Sequence, residues 1–422
     1  MNKAPHFVVV TLVLSVSLAC SQSPAPSSPV FTTRTAPPAH YQFTADTLPP
    51  PFASPSATNP PHVVQRPAEA QLQLPPGFEI RTFAEGGFKR PRWMALAPNG
   101  DVFVADDQAG AIIILRDTHG DGTAGERFTF ATDLNQPFGM AFWRDYFYVA
   151  NTDAVVRFRY KAGQTKAEGP PEKICSLPGQ GYRQHWTRNV VFRPDGAKMY
   201  VTVGSQTNVS VESEPMRAAI SEFNPDGTGH RLLATGTRNP IGLAFQPGTG
   251  KLWAAVQERD GLGDDLPPDY VTQIKDGGFY GWPFAYAGPH EEPRHKGERP
   301  DLVQKAIVPD VLVQAHSSVL GLVFYDGPMF PPEYRGDAFV AMHGSWNRSK
   351  RTGYKIARIR FKDGRPVGGY DDFLTGWMLD ENSNEVWGRP VGLLVLKDGS
   401  LLIAEDGAKK IWRVTYRAPK KK

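Results

Sequence analysis

The chain has little cysteine. Only Cys20 and Cys175 occur in 422 residues, and with Cys20 assigned to the export segment Cys175 has no partner, so the fold does not rest on a disulfide. Charge of either sign is also in short supply as an excess. Forty-seven basic against 43 acidic residues leave +4, and no basic cluster is interleaved with aromatics, which excludes nucleic acid as a partner. Lys420–Lys422 read as a solvated tail. Beyond Leu18 no apolar run is long enough to span a bilayer. A nucleotide-phosphate loop, a haem-attachment motif and a nucleophile elbow are all missing, and with them the chemistries they carry.

Glycine (41), proline (39) and aromatics (11%) are plentiful, the composition of many short strands joined by tight turns. Residues 1–20 read as a signal segment of the lipoprotein type: Lys3 supplies positive charge, Phe7–Leu18 the apolar run, and Ser17-Leu-Ala-Cys20 approximates a lipobox. An acyl chain on Cys20 would anchor an exported chain to a membrane, facing the periplasm or exterior, without a spanning helix. Residues 21–70, rich in Pro, Ser and Thr with few large aliphatics, are expected to be a disordered linker. The folded domain is expected over 71–418.

That domain repeats itself. A phrase of the form small-apolar-Phe-x-x-(Asp/Gly)-Gly-x-apolar-x-apolar-Ala recurs, with variations, at Trp93–Ala105, Phe138–Ala150, Asn189–Val203, Ile241–Val256, Leu320–Ala341 and Val391–Ala404. Turn signals are Asn99-Gly100, Asp195-Gly196 and Asp398-Gly399. The early spacing of about 45–51 residues is that of propeller units. One such unit has an open edge and half a core, and stacking units radially buries both faces. Six units predict an all-β, six-bladed β-propeller, with the wider later spacing placed in inserted loops.

Polar clusters punctuate the connections. His185, in Arg183-Gln-His-Trp-Thr-Arg188, suits proton transfer near neutral pH or a structural role. Arg238-Asn239 at the head of the fourth unit can clamp a carboxylate or tie blades together. The acidic, Gly-rich loop Glu258–Asp265 suits a hard cation such as Ca²⁺, or is simply solvated. His343-Gly-Ser-Trp-Asn-Arg348 and Trp387-Gly-Arg389 put arginine beside aromatics at blade ends. Asp117–Gly122 reads as a Gly-rich turn and Cys175 as a buried structural thiol.

In this order, His185-Trp-Thr-Arg-Asn189, Arg238–Phe245, Glu258–Asp265, Asp276–Pro283, His343–Arg348 and Trp387–Gly392 resemble the sorbosone dehydrogenase-like proteins. These are relatives of soluble quinoprotein glucose dehydrogenase and of the pyranose dehydrogenases that use pyrroloquinoline quinone (PQQ). The resemblance covers roughly Leu74–Tyr416. It implies PQQ at one mouth of a six-bladed propeller and oxidation of a sugar or polyol, with electrons passed to an external acceptor. It further implies that His185 removes the substrate hydroxyl proton and that Arg238, Asn239, Arg348, Arg389 and Gln136 contact the cofactor. Main-chain carbonyls of Glu258 and Arg259 would hold Ca²⁺, although the glucose enzymes carry Gly-Pro there. Three carboxylates and an ortho-quinone call for fixed cations and an electrophile, which supports the same assignment. The competing classes are a calcium-dependent lactonase, which would not need the arginines, and a non-catalytic carbohydrate-binding propeller.

Overall fold

The computed structural model describes Met1, Phe31, residues 33–179 and residues 185–418. Cys20 and the signal segment lie outside the described residues, as do Arg183 and Gln184. Six sheets of four or five strands follow one another along the chain. Their innermost strands are Pro91–Leu96, Met140–Trp143, Val190–Phe192, Asn239–Phe245, Val319–Phe324 and Pro390–Val395. These strands neighbour one another in a closed ring, so the molecule is the six-bladed propeller that the repeats predict.

The repeated glycine shows how the ring closes. A Cβ on Gly242 would lie 2.5 Å from the Leu320 carbonyl oxygen, on Gly321 2.4 Å from that of Val391, and on Gly392 2.4 Å from that of Arg92. One on Gly139 would lie 2.5 Å from Asn189 Cα. Each glycine therefore lets an inner strand touch the backbone of the next blade. Where the repeat carries Trp93 and Asn189 instead, the first and third blades break the pattern. Beside the close approach the inner strands bulge, between Pro91 and Trp93, Pro240 and Gly242, Val319 and Leu322, and Pro390 and Leu393. A bulge re-aims the residues that precede it.

The last blade takes its outer strand from the other end of the domain. Phe78–Glu85 pairs antiparallel with Lys410–Tyr416, Val414 opposite Ile80, which fastens the ring without a disulfide. Between the third strand of the fourth blade, Asp269–Gln273, and the fourth, Val311–Val313, an insertion carries a short hairpin, Ala285–Tyr286 with His290–Glu291, and the helix Pro300–Lys305. Its Gly278–Phe279 extends the third blade as a parallel fifth strand.

The structure corrects the linker. From residue 33 onward the segment expected to be disordered lies against the propeller as a strap. Thr33–Thr35 pairs with Leu72–Leu74, His40–Tyr41 adds an outer strand to the fifth blade, and His62–Val63 pairs with Glu385–Val386. Its sparse aromatics supply the apolar area that composition alone underrates: Phe31 meets Trp387 and Trp412, and Tyr41 stacks on Tyr370 at 5.1 Å between centroids. Cys175, in the edge strand Glu172–Ser176, is half-buried rather than buried, and desolvation raises its pKa to about 11. Asp117 caps a turn by accepting from the amides of Gly120 and Gly122. No described helix is long and apolar enough to cross a membrane.

Candidate functional site

At one mouth the starts of the inner strands meet the ends of the second strands. Two cavities open there, of about 300 and 380 Å³, sharing Gln257, Ser318 and Trp346 in their walls.

His185 lines the smaller cavity, together with Arg238, Glu258 and Asp260. Its Nδ1 lies 3.0 Å from both the carbonyl and the hydroxyl oxygen of Ser205. That hydroxyl donates to the Thr207 carbonyl at 2.6 Å, so it can only accept from the ring. Nδ1 therefore carries the proton and Nε2 the lone pair. Burial first, then the Arg238 charge, hold this imidazole well below its ordinary pKa, so it is neutral at neutral pH. A Cβ on Gly204 would fall 2.3 Å from Asn239 Oδ1 and 2.8 Å from His185 Cβ, so glycine lets these two groups converge.

Arg238 is fixed by its neighbours. Its guanidinium donates to the Glu258 carbonyl at 2.5 Å, to the Asn208 carbonyl at 3.1 Å and to Asn208 Oδ1 at 2.9 Å. Asn208, which heads a formal glycosylation sequon, is thus a positioning residue; its Nδ2 donates to the Asp260 carbonyl at 2.8 Å. Asn239 donates to Gln257, which donates to Ser318 at 2.7 Å. Asn239 Oδ1 is buried with no hydrogen-bond partner.

Cations dominate the larger cavity, through Arg90, Arg92 and Arg389. Trp186 forms another part of its wall, with the Arg90 and Arg92 guanidinium carbons 5.2 and 5.6 Å from its ring centroid. His343 holds two of these groups together. Arg389 donates to Nδ1 at 3.0 Å, so Nε2–H donates to Asp406 at 3.0 Å, and the ring is neutral by geometry. Burial, then the Arg389 charge, set its pKa at about 3. Burial works against ionised Asp406, yet the charges around it, including its ion pair with Arg92, hold its carboxyl well below the carboxylate range. The Nε atoms of Arg92 and Arg389 are buried donors with no partner.

Of the sequence-predicted residues, the structure gathers His185, Arg238, Asn239, Arg389 and Glu258 at the mouth. Arg348 does not join the cavity walls; it donates to Asp265 at 2.6 Å and to the Asp264 carbonyl at 3.1 Å on the rim. Gln136 is exposed, on a left-handed backbone at φ 49°, and lines neither cavity. Arg259 points away into a buried pairing, 3.4 Å from Glu292. Arg90, Arg92, Trp346 and Asp406 were missed as site residues. A signal for the first existed: Arg90-Pro91 repeats the residue-Pro step of Asn239-Pro240 and Arg389-Pro390 at the head of an inner strand.

A polyanionic aromatic acid fits the larger cavity, which presents three guanidiniums, unspent buried donors and an indole wall. Ca²⁺ does not fit the expected pair of carbonyls. The Glu258 carbonyl is taken by the Arg238 guanidinium, and Arg259 is buried against Glu292. Burial raises the Glu258 carboxyl to about 8. Among the described residues no three His, Cys, Asp or Glu side chains cluster as a metal site.

The molecule is thus a six-bladed propeller with a neutral imidazole beside a guanidinium-lined cavity at one mouth. The chain belongs to the TrAA12-like family, whose model matches residues 72–272 and 297–417. It is 27% identical over 358 residues to an uncharacterized protein of Borreliella burgdorferi, covering 82% of this chain and 91% of that one. A pyrroloquinoline quinone-dependent pyranose dehydrogenase of Coprinopsis cinerea is 22% identical over 404 residues, 81% of this chain; the match spans only 54% of that enzyme, about half its length. The holo PQQ domain of the Coprinopsis cinerea pyranose dehydrogenase superposes with a TM-score of 0.71 at 20% identity, covering 84% of this chain and 99% of that domain, which shows a shared fold.

Proposed function

We propose that this protein is a PQQ-dependent dehydrogenase that oxidises an alcohol or aldehyde group of a sugar or polyol. The observation that carries the reading is the juxtaposition, at one mouth, of neutral His185 with the cationic cavity of Arg90, Arg92 and Arg389. Bound there, PQQ would supply the two-electron acceptor. The guanidiniums would hold its carboxylates, charge-assisted pairs being roughly twice as strong as neutral hydrogen bonds. Nε2 of His185, oriented by Ser205, would take the substrate hydroxyl proton as hydride leaves carbon. Arg238, fixed by Asn208 and Glu258, would present positive charge where the oxyanion develops, the role first assigned to a metal. Membership of the TrAA12-like family and the match to a PQQ-dependent pyranose dehydrogenase support the cofactor and a sugar substrate.

Purified apoprotein titrated with PQQ, then screened against sugars with an artificial acceptor dye, tests this. Saturable PQQ binding with sugar-dependent dye reduction is expected. PQQ binding without any turnover would favour a binding protein, and no PQQ binding would overturn the assignment.

A further inference from the structure

The strap runs outside the family match, which begins at residue 72, yet it reaches three of the loops around the mouth. Phe52 donates its amide to the Leu262 carbonyl at 2.8 Å, and Ser54 Oγ accepts from the Asp264 amide at 2.8 Å; this loop carries Asp260. Val64 donates to the Val386 carbonyl at 2.8 Å, three residues before Arg389.

Between these points Asn59 is clasped by the loop after the second strand of the fifth blade. Its amide donates to the Trp346 carbonyl at 2.7 Å, and its Nδ2 donates to the carbonyls of Arg348 and Ser349 at 3.1 and 3.2 Å. Its own carbonyl and Oδ1 accept from Arg351 at 3.0 and 2.9 Å. Arg351 is itself buried, and its other donors go to the carbonyls of Ser345 and Ser383 and to the Tyr354 hydroxyl. One strap residue thus spends all its polar groups on the loop that brings Trp346 and Asn347 to the cavities. Val63 then stands in the wall of the cationic cavity itself.

We propose that residues 50–66 are a positioning and specificity element of the active mouth. Asn59 fixes the Trp346 loop, and Val63 walls the cationic cavity. The specificity part rests on the dehydrogenase reading; the clamp does not.

The test uses the full chain with Asn59→Ala, Asn59→Asp and Val63→Trp. In Asn59→Ala, amide exchange over residues 344–350 should quicken about tenfold while Tyr146–Ala150 in the second blade stays unchanged. With PQQ bound, KM for the sugar should rise about tenfold, with kcat and PQQ affinity within about twofold. Asn59→Asp, which keeps the acceptors for Arg351 but sets a carboxylate oxygen against the Arg348 and Ser349 carbonyls that Nδ2 served, should restore only part of both. Val63→Trp should raise KM without altering exchange at 344–350. Unchanged exchange at 344–350 in Asn59→Ala would overturn the clamp, as would faster exchange everywhere, which would mark a merely structural residue. Unchanged KM in both Asn59→Ala and Val63→Trp would overturn the specificity role. If no variant, nor the parent, turns over any sugar, the dehydrogenase reading fails while the exchange result still decides the clamp.

Discussion

At the scale of single residues, the site is a set of neutral imidazoles embedded among cations. His185 as base predicts a specific pH profile. Its pKa is held well below 6.5, chiefly by burial and Arg238, so kcat/KM should be flat through neutrality and fall only at distinctly acid pH as Nε2 is protonated. His185→Ala should lower kcat by ~10²–10⁴-fold with PQQ affinity retained, because the guanidiniums that would hold the cofactor are elsewhere. Arg389→Gln should do the reverse, weakening PQQ binding at least about tenfold, since it removes one charged partner of a polyanion. Steady-state kinetics and cofactor titration on both variants separate the two roles. The same burial makes stability depend on acid. His343 has a folded pKa of about 3, below its unfolded value of ~6.5, so the unfolded state binds the extra proton in between. Its stabilisation is complete above the unfolded pKa and drains as pH falls toward the folded one, at up to about 1.4 kcal/mol per pH unit. His343→Gln should flatten the stability curve between about pH 6 and 4 by roughly that slope, measured by urea melts. What the sequence showed here was uneven. His185, Arg238, Asn239 and Arg389 were legible because each sits in a distinctive polar run at a blade head. Asp406 was not, because an acid after a strand looks solvated until the structure shows Arg92, His343 and Arg389 converging on it. Gln136, assigned from the family resemblance alone, sits exposed on a left-handed backbone outside both cavities.

Secondary-structure elements carry the repeat, and in four of the six blades a glycine in or just before the inner strand is the residue that lets it close. Gly321→Ala places a methyl 2.4 Å from the Val391 carbonyl, a backbone atom that cannot swing aside. The cost should be that of overpacking, ~1–3 kcal/mol, read from the denaturant midpoint. Gly100, at φ 98° with open space around it, should lose less to contact and more to backbone strain on the same substitution. Strand order was legible because period-two apolar runs and Asx-Gly turns recur with the blades. The outer strand of the sixth blade was not, since Phe78–Glu85 lies more than three hundred residues from its partner, and no local pattern announces a pairing of that separation. The strap escaped for a different reason. Pro, Ser and Thr lower its mean hydropathy, but order there comes from a few spaced anchors, Phe31, Tyr41 and Asn59, each docking on a preformed surface.

On the scale of the whole molecule, everything depends on the ring remaining closed. The six blades share no disulfide among the described residues, so closure rests on the pairing of Phe78–Glu85 with Lys410–Tyr416 and on the apolar contacts beneath it. Ile80 lies at the centre of that pairing, fully buried, in the same core cluster as Trp412, Trp387 and Phe339. An aspartate there would set an unpaired charge in an apolar core, and uncompensated buried charges cost about 3–5 kcal/mol. Because this strand joins the two ends of the domain, the loss is not local. The first and sixth blades would part, the guanidiniums of Arg92 and Arg389 would no longer face one cavity, and Asp406 would lose Arg92. Ile80→Asp should therefore lower the unfolding midpoint sharply and, at temperatures where the chain is still folded, weaken PQQ binding although residue 80 is not in the site. Ile80→Val, which keeps the apolar contact, should cost only ~0.5–1.5 kcal/mol and leave PQQ binding intact. Paired thermal melts and cofactor titrations on the two variants check this: a stable Ile80→Asp protein that binds PQQ normally would mean that the mouth is held by the strap and the inner ring rather than by the closing strand.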